Sequence, residues 1–351
     1  MEKGREIVLY AAASVAGNML GASLHLHPAI YLTAAALAAF ATLRTPGPSR
    51  RFHLAACAAF LLLGAASVQI YRIPACSPGA EFRRRCLEIR GICSGALDSR
   101  LPEGDERAVI KAVVLGDKSE ISPALRRQYA GSGAAHLLAL SGLHIGMVWK
   151  IFMAALFFLG CTPAARRLKT LIVLPALWGY ACITGLSPSV TRAAAMITVH
   201  EIARLRRASP SGMNSLAIAA MLILTISPES LREAGFQLSF SACLGIFLIH
   251  PHLKKLLDAR SLPLKYVWNT LSLSISCQMT AGVVSWLWFG TFPKYFMLTN
   301  LLSLPVASAI LCFSTFGAFG ILFPKIVKNS FSLVRWATWL LNAIVGHIAD
   351  L

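Results

Sequence analysis

Long apolar stretches recur along almost the whole chain, separated by short polar connections, and this pattern constrains the fold more than any other feature. The stretches cover residues 7–24, 29–43, 53–71, 134–159, 170–185, 188–203, 213–227, 236–250, 266–290, 296–323 and 331–349. Hydrophobic residues make up 56% of the sequence and charged residues 14%, whereas a soluble domain carries about a quarter charged residues. The pattern therefore predicts an all-α polytopic integral membrane protein and argues against a water-soluble enzyme.

Eleven membrane segments follow if each stretch crosses the bilayer once. A helix needs about 20 residues to cross the hydrocarbon core, so we expect the shorter stretches to be tilted, re-entrant or packed among neighbours. Outside residues 72–133, seventeen Lys and Arg residues fall in one set of alternate connections, and only Arg232 and Lys294 fall in the other. Because basic loops stay in the cytoplasm, this count places the N-terminus on the cytoplasmic side.

Residues 72–133 are the exception, since eleven basic and eight acidic residues fall there on the predicted outer side. Residues 81–100 have room for two or three short strands, too few for an independent barrel. From 105 to 129, the apolar side chains are spaced as in amphipathic helices that lie at the membrane surface. We therefore divide the chain into N-terminal membrane helices at 1–75, a short extracytoplasmic segment at 76–107 and a membrane domain at 108–351.

The most informative stretch places polar residues beside and inside an apolar span. It reads Gly116-Asp117-Lys118-Ser119, then Tyr129-Ala130-Gly131, then His136-Leu137-Leu138-Ala139-Leu140-Ser141-Gly142-Leu143-His144-Ile145-Gly146. On an uninterrupted helix, His136 and His144 would share one face about two turns apart. Ser141 and Gly142 fall between them, where a break in the helix would expose backbone groups to a cavity.

Three more segments follow this stretch along the chain. They read Thr184-Gly185-Leu186-Ser187-Pro188-Ser189-Val190-Thr191-Arg192-Ala193 with Met196, Gly235-Phe236-Gln237-Leu238-Ser239-Phe240, and Pro293 to Phe296 with Asn300-Leu301-Leu302 and Pro305. The four segments in this order resemble the competence domain of the ComEC family. The resemblance implies the core of an inner-membrane channel that takes up single-stranded DNA during natural transformation of bacteria.

The same resemblance implies the location and the partners. The chain would be a multi-pass protein of the bacterial cytoplasmic (inner) membrane, in contact with single-stranded DNA and membrane lipids. Further implied partners are a DNA receptor, a cytoplasmic DNA translocase and a separately encoded nuclease, and the oligomeric state stays open.

Two domains typical of the family are reduced or missing in this sequence. Only residues 76–107 occupy the place of an OB-like extracytoplasmic domain, and nothing occupies that of a C-terminal metallo-β-lactamase-like nuclease domain. That zinc fold needs an HxHxDH cluster, whereas His25-Leu26-His27 and His250-Pro251-His252 lack the following Asp-His pair. We therefore expect no enzyme activity, no cofactor and no metal site. The alternative function is a non-transporting accessory protein or a truncated remnant of such a channel, because the family's further membrane segments are also missing.

Eight residues are candidates for the DNA path or its gating: Asp117, Lys118, His136, Ser141, Gly142, His144, Arg192 and Gln237. Arg192 lies near the outer start of a short span, and a charge at the bilayer centre costs about 2.5–3.5 kcal/mol. Its side chain therefore either contacts a DNA phosphate or serves as a structural ion pair, a cap or a snorkelling residue.

The other candidates have structural alternatives as well. His136 and His144 either bond to neighbouring helices or line a polar passage. Asp117 and Lys118 either fix a helix-end turn or take part in gating. Gln237 either bonds across helices or contacts the substrate. Ser141 is not expected to act as a nucleophile, because the Gly-x-Ser-x-Gly motif is absent.

Overall fold

The computed structural model describes residues 2–24, 27–44, 50–71, 80–206, 211–257, 261–290, 294–319 and 324–351. These residues form helices and connecting turns, and none of them lies in a strand. The α-helices are α1 Glu2–Ser23, α2 Pro28–Arg44, α3 Arg50–Tyr71, α4 Ala80–Asp98, α5 Asp105–Leu115, α6 Pro123–Gly131, α7 Gly142–Ala155, α8 Pro163–Ile183, α9 Pro188–Leu205, α10 Gly212–Ile226, α11 Ala234–Leu248, α12 His250–Lys254, α13 Leu262–Cys277, α14 Val283–Phe289, α15 Phe296–Phe319 and α16 Pro324–Ala349. The predicted all-α class is therefore confirmed.

The prediction of short strands at residues 81–100 is wrong, because α4 occupies this segment. Its Arg, Glu and Leu residues have high helix propensities. Arg84 pairs with Glu88, and Arg85 pairs with Glu81, each over one helical turn. A helix bonds its own backbone groups, whereas an isolated pair of strands is only marginally stable.

The predicted helix α5 is present and is buried by other helices of the same unit, and its position relative to the membrane stays a prediction. Seven of its eleven residues are buried, including the continuous run from Ala108 to Val113, and the helix packs against α15 and α16. Within this run only Lys111 is charged, and its side chain is 2% exposed and paired with Asp98 and Glu120. Burial alone would lower the pKa of Lys111, but the two carboxylates raise it above its usual value, so the ammonium group stays charged.

The chain forms two compact units, Met1–Ala80 with Ala195–Gln237 and Glu81–Ala194 with Leu238–Leu351. Residues 81–107 of the predicted extracytoplasmic segment therefore share a unit with the first and fourth motifs. The apolar core of this second unit joins α5 and α6 to α15 and α16. At its edge the buried Tyr129 hydroxyl donates to Asn342 Oδ1 at 2.7 Å.

In the first unit, α1 and α3 approach each other through glycines spaced four residues apart. A Cβ atom added at Gly17 would lie 1.8 Å from the carbonyl oxygen of Leu61, and one at Gly21 would lie 2.6 Å from Ala65 Cα. Gly64 of α3 fits equally closely against the backbone of α1. Small residues at this spacing let helices approach closely inside membranes, where the hydrophobic effect does not drive them together.

Two helical segments among the described residues are long and apolar enough to cross a membrane, Arg51–Ile70 and Phe296–Thr315. Gly212–Ile226 and several other apolar helices are shorter, and α8 carries basic residues in its first turns. Large apolar side chains are exposed on several helices, for example Leu287 and Trp336 at 71% and 60%. Exposed apolar surface of this extent is typical of contact with lipid or with another protein.

Candidate functional site

The first motif turn follows α5 and is built around Gly116 and Asp117. Gly116 adopts φ 71°, a left-handed conformation that favours glycine. Asp117 accepts hydrogen bonds from Ser94 Oγ at 2.7 Å and from the Ser119 backbone N–H at 3.1 Å. Burial would raise the pKa of the Asp117 carboxyl, but these hydrogen bonds and the nearby Arg90 lower it below its usual value. The carboxylate therefore stays ionised and fixes the turn.

Lys118 is the second charged residue of this turn. Burial lowers the pKa of its ammonium group, and the positive charge of Arg126 lowers it further. The turn thus holds one firmly ionised carboxylate beside one less basic amine. Asp117 and Lys118 therefore lie in a turn at the end of a helix, which is one of the two roles that the sequence suggested. Their other suggested role, in gating, stays a prediction.

The apolar span 134–159 is broken, as the sequence suggested, because α7 begins only at Gly142. His144 Nδ1 accepts a hydrogen bond from the Ser141 backbone N–H at 3.0 Å, and Ser141 Oγ lies 2.8 Å from the same nitrogen. The His144 side chain is 1% exposed. Although serine and histidine also pair in hydrolases, this contact caps the first turn of α7.

His136 lies before this break, so the two histidines do not share one helix. Its Nδ1 lies 3.0 Å from the Gly133 carbonyl oxygen, and its ring lies 5.2 Å from that of Phe296. The side chain of Asn300, from the fourth motif, also faces the ring. His136 therefore links the first and fourth motifs.

The second motif forms the turn between α8 and α9. The Leu186 N–H donates to the Ala181 carbonyl and the Gly185 N–H to the Cys182 carbonyl, at 2.9 Å each, which is the Schellman arrangement at a helix end. Gly185 has φ 72° and Leu186 has φ 51°. A positive φ in a leucine is uncommon and strained, and such strain is found most often at functional sites.

Arg192 lies one turn into α9 and is 3% exposed. Its Nη2 donates to Ser189 Oγ at 3.1 Å, and its guanidinium carbon lies 5.9 Å from the centre of the Phe240 ring. The side chain thus connects the second motif to the third. These contacts agree with a structural part for Arg192, and contact with a phosphate stays a prediction.

Gln237 lies in the first compact unit, whereas the other seven candidates lie in the second. Its Nε2 donates to the Leu231 carbonyl at 3.0 Å, in the 3₁₀ turn that precedes α11. This bond fastens the helix to its own connection. A bond across helices and contact with a substrate stay predictions for Gln237.

The first two motifs and the start of α7 come together in the second unit. A Cβ atom at Gly116 would lie 2.6 Å from Leu140 Cδ1 and 3.8 Å from the Thr184 carbonyl oxygen, and one at Gly142 would lie 3.6 Å from Ala193 Cβ. The Tyr180 hydroxyl also donates to the Val114 carbonyl at 2.8 Å. Residues far apart in the sequence therefore form one cluster of turns.

Sequence reasoning missed the residues of α4 that complete this cluster. Ser94 and Arg90 reach Asp117, and Leu87 and Arg90 reach Gly185. Strands were expected at residues 81–100, so no significance was given to the helical spacing of Leu87, Arg90 and Ser94. Among the described residues, no group of three or more His, Cys, Asp or Glu is placed to hold a metal ion.

A family model described as the competence protein matches residues 113–351. The chain belongs to the competence protein family. All four motif segments lie inside the matched residues, so the resemblance to a ComEC-type membrane domain is confirmed. Membership in the competence family and the apolar helices together indicate a membrane protein with a part in DNA uptake.

The chain is also similar to the ComE operon protein 3 of Bacillus subtilis (strain 168). It is 31% identical to this chain over 173 residues, which cover 49% of this chain and 22% of that protein. The chain therefore matches less than a quarter of the length of this relative. No solved structure matches the chain significantly.

Glycine 142 offers a test of the contact between α7 and α9. We expect Gly142→Ala to retain the protein's abundance in the membrane, because the added Cβ would meet Ala193 at an ordinary contact distance of 3.6 Å. Gly142→Leu should reduce this abundance, since overpacking at a helix contact costs about 1–3 kcal/mol. The control is Gly146→Leu, one turn later, where no atom lies within 4 Å of the new Cβ. Equal loss in both leucine variants would contradict this contact.

Proposed function

We propose that this chain forms the membrane core of a channel through which one strand of DNA enters the bacterial cytoplasm. The observation that carries the proposal is the competence family match over residues 113–351, which includes all four motifs. The clustering of the first two motifs with the start of α7 supports it, because those motifs share one place in the fold. Phosphates cannot be desolvated into lipid, so the strand needs a wet path lined by donors and cations.

The proposal includes eleven membrane segments with the N-terminus in the cytoplasm. Each of the eleven apolar stretches is largely helical, and the Lys and Arg distribution supports this orientation. The short helices fit a bundle in which tilted or re-entrant segments are covered by neighbours. We further propose that the chain cleaves no DNA itself, so that degradation of the other strand belongs to another protein.

Single-stranded DNA and membrane lipids are the proposed direct contacts. A DNA receptor, a cytoplasmic translocase and a separately encoded nuclease are the proposed further partners. Their parts would be to deliver the strand, draw it inward and degrade its complement.

The deciding experiment measures uptake of labelled DNA into the cytoplasm of a transformable strain that lacks its own competence channel. The strain carries this chain alone, with an empty vector as control. The proposal expects protected, cytoplasmic label above the control. Uptake that requires a second channel-forming chain would favour the accessory function instead. The alignment, which covers only 22% of the Bacillus relative, is the observation that supports this second candidate.

Orientation is tested by labelling with a membrane-impermeant thiol reagent. We expect intact cells to label a Ser99→Cys variant but not a Ser209→Cys variant, because the basic connections near residue 209 are predicted to be cytoplasmic. Ser99 is exposed, and Ser209 lies outside the described residues. The background replaces Cys76, Cys86 and Cys93. Permeabilised cells should label both variants, and the reverse pattern in intact cells would overturn the orientation.

A further inference from the structure

Helix α4 lies against both motif turns of the second unit. Ser94 donates to Asp117 in the first turn at 2.7 Å. At the second turn, Leu87 Cδ2 lies 2.8 Å and Arg90 Nη1 lies 3.3 Å from where a Cβ of Gly185 would be. The side chain of Cys86, which is buried, also lies beside that of Cys182 in α8. One helix therefore covers both turns.

The two ends of α4 are held very differently. Over most of its length only Cys86 and Ser94 are buried, while Phe82, Ile89 and Ile92 are 57%, 43% and 74% exposed. A helix that buries so few apolar side chains is weakly held, which is the property of segments that open locally.

The C-terminal end of α4 is instead anchored in the core. Leu97 packs on the core cluster, and Leu101 just after the helix belongs to it. Asp98 pairs with the buried Lys111 and, at 3.5 Å, with Arg107, which also pairs with Glu120 at 3.0 Å. Apolar and ionic contacts therefore fix this end while the other end rests on the turns.

We propose that α4 is a movable cover over the two motif turns, hinged at its C-terminal end near Asp98. In the observed position, side chains of α4 contact Asp117 and Gly185. A DNA strand can therefore reach these turns only if the helix moves away. Swinging the N-terminal part outward would break the contacts of Leu87, Arg90, Ser94 and Cys86. This inference rests on the proposed uptake of DNA and adds a closed state to it.

The native thiols supply the test, because a disulfide between Cys86 and Cys182 would lock the cover in place. We use the full chain with its other seven cysteines replaced, and oxidise it in the membrane with copper phenanthroline. Two thiols lose two protons and two electrons to the oxidant and form one disulfide. Trapping about nine molecules in ten should reduce DNA uptake about tenfold, since only the remainder can open. Dithiothreitol should restore uptake.

The matched control is the same chain with Cys86→Ser, whose uptake should be indifferent to oxidant. The cover is overturned if the disulfide forms and uptake stays unchanged, or if no disulfide forms. If the untreated chain takes up no DNA, the proposed function fails, and the cover is then judged by alkylation of Cys86 with a maleimide in the purified protein. Cys86 is 1% exposed, and Leu87→Ala with Ser94→Ala should speed its alkylation several-fold relative to the parent protein. An unchanged alkylation rate would overturn the cover independently of uptake.

Discussion

Replacing Gly17 with alanine should unfold the first compact unit or force its helices α1 and α3 apart. The new Cβ would lie 1.8 Å from the Leu61 carbonyl oxygen and 2.9 Å from Leu61 Cα, which are backbone atoms that cannot rotate away. Helices α1 and α3 must then separate along their contact, and overpacking of this kind costs about 3 kcal/mol or more. We expect a clear fall in the thermal unfolding midpoint in detergent and in the yield of monodisperse protein.

The control for Gly17→Ala is Gly235→Ala, a glycine in α11 with no atom within 4 Å of the added Cβ. Both changes add the same methyl group to a helical glycine, but only Gly17→Ala places it against backbone atoms of another helix. Gly21→Ala should resemble Gly17→Ala, since its Cβ would lie 2.6 Å from Ala65 Cα. A Gly17→Ala protein as stable as the control would show that α1 and α3 do not cross this closely.

The helical fold was predictable because apolar periodicity is local information. Each stretch of apolar residues already dictates a helix when water cannot satisfy its backbone groups. The number of membrane crossings was not predictable in the same way. A short apolar helix such as α10 has the same sequence pattern whether it spans lipid or is covered by neighbouring helices. The break before Gly142 was visible because Ser141 and Gly142 are poor residues for a helix interior.

The features that the sequence did not reveal depend on contacts between distant residues. Burial of α5 depends on α15 and α16, which lie about two hundred residues later, and no local pattern shows the two carboxylates that pair with Lys111. That lysine is tolerated inside because Asp98 and Glu120 are supplied by the segments on either side of α5. Likewise, the mutual contact of Cys86 and Cys182 could not be read from cysteines scattered through the sequence.

Arg192→Ala should lower the abundance of the protein in the membrane several-fold. The side chain is 3% exposed, donates to Ser189 and lies beside the Phe240 ring, so its removal opens a cavity between α9 and α11. Truncating a large buried side chain costs about 2–5 kcal/mol. Arg192→Lys should be intermediate, because the charge remains while the planar fork is lost. The control is Arg335→Ala, which removes an exposed arginine from α16, and equal abundance of the two alanine variants would contradict the packing.

Salt dependence separates this structural part of Arg192 from contact with DNA. Binding of single-stranded DNA to the purified protein should weaken as salt rises, with a log-log slope of about −0.7 for each phosphate neutralised. Because Arg192 is already packed against Ser189 and Phe240, we expect the folded fraction of Arg192→Ala to keep the slope of the parent protein. A slope that is less steep by about 0.7 would instead place this guanidinium on a phosphate. Binding that is indifferent to salt in the parent protein would remove the electrostatic basis of the channel and favour the accessory function.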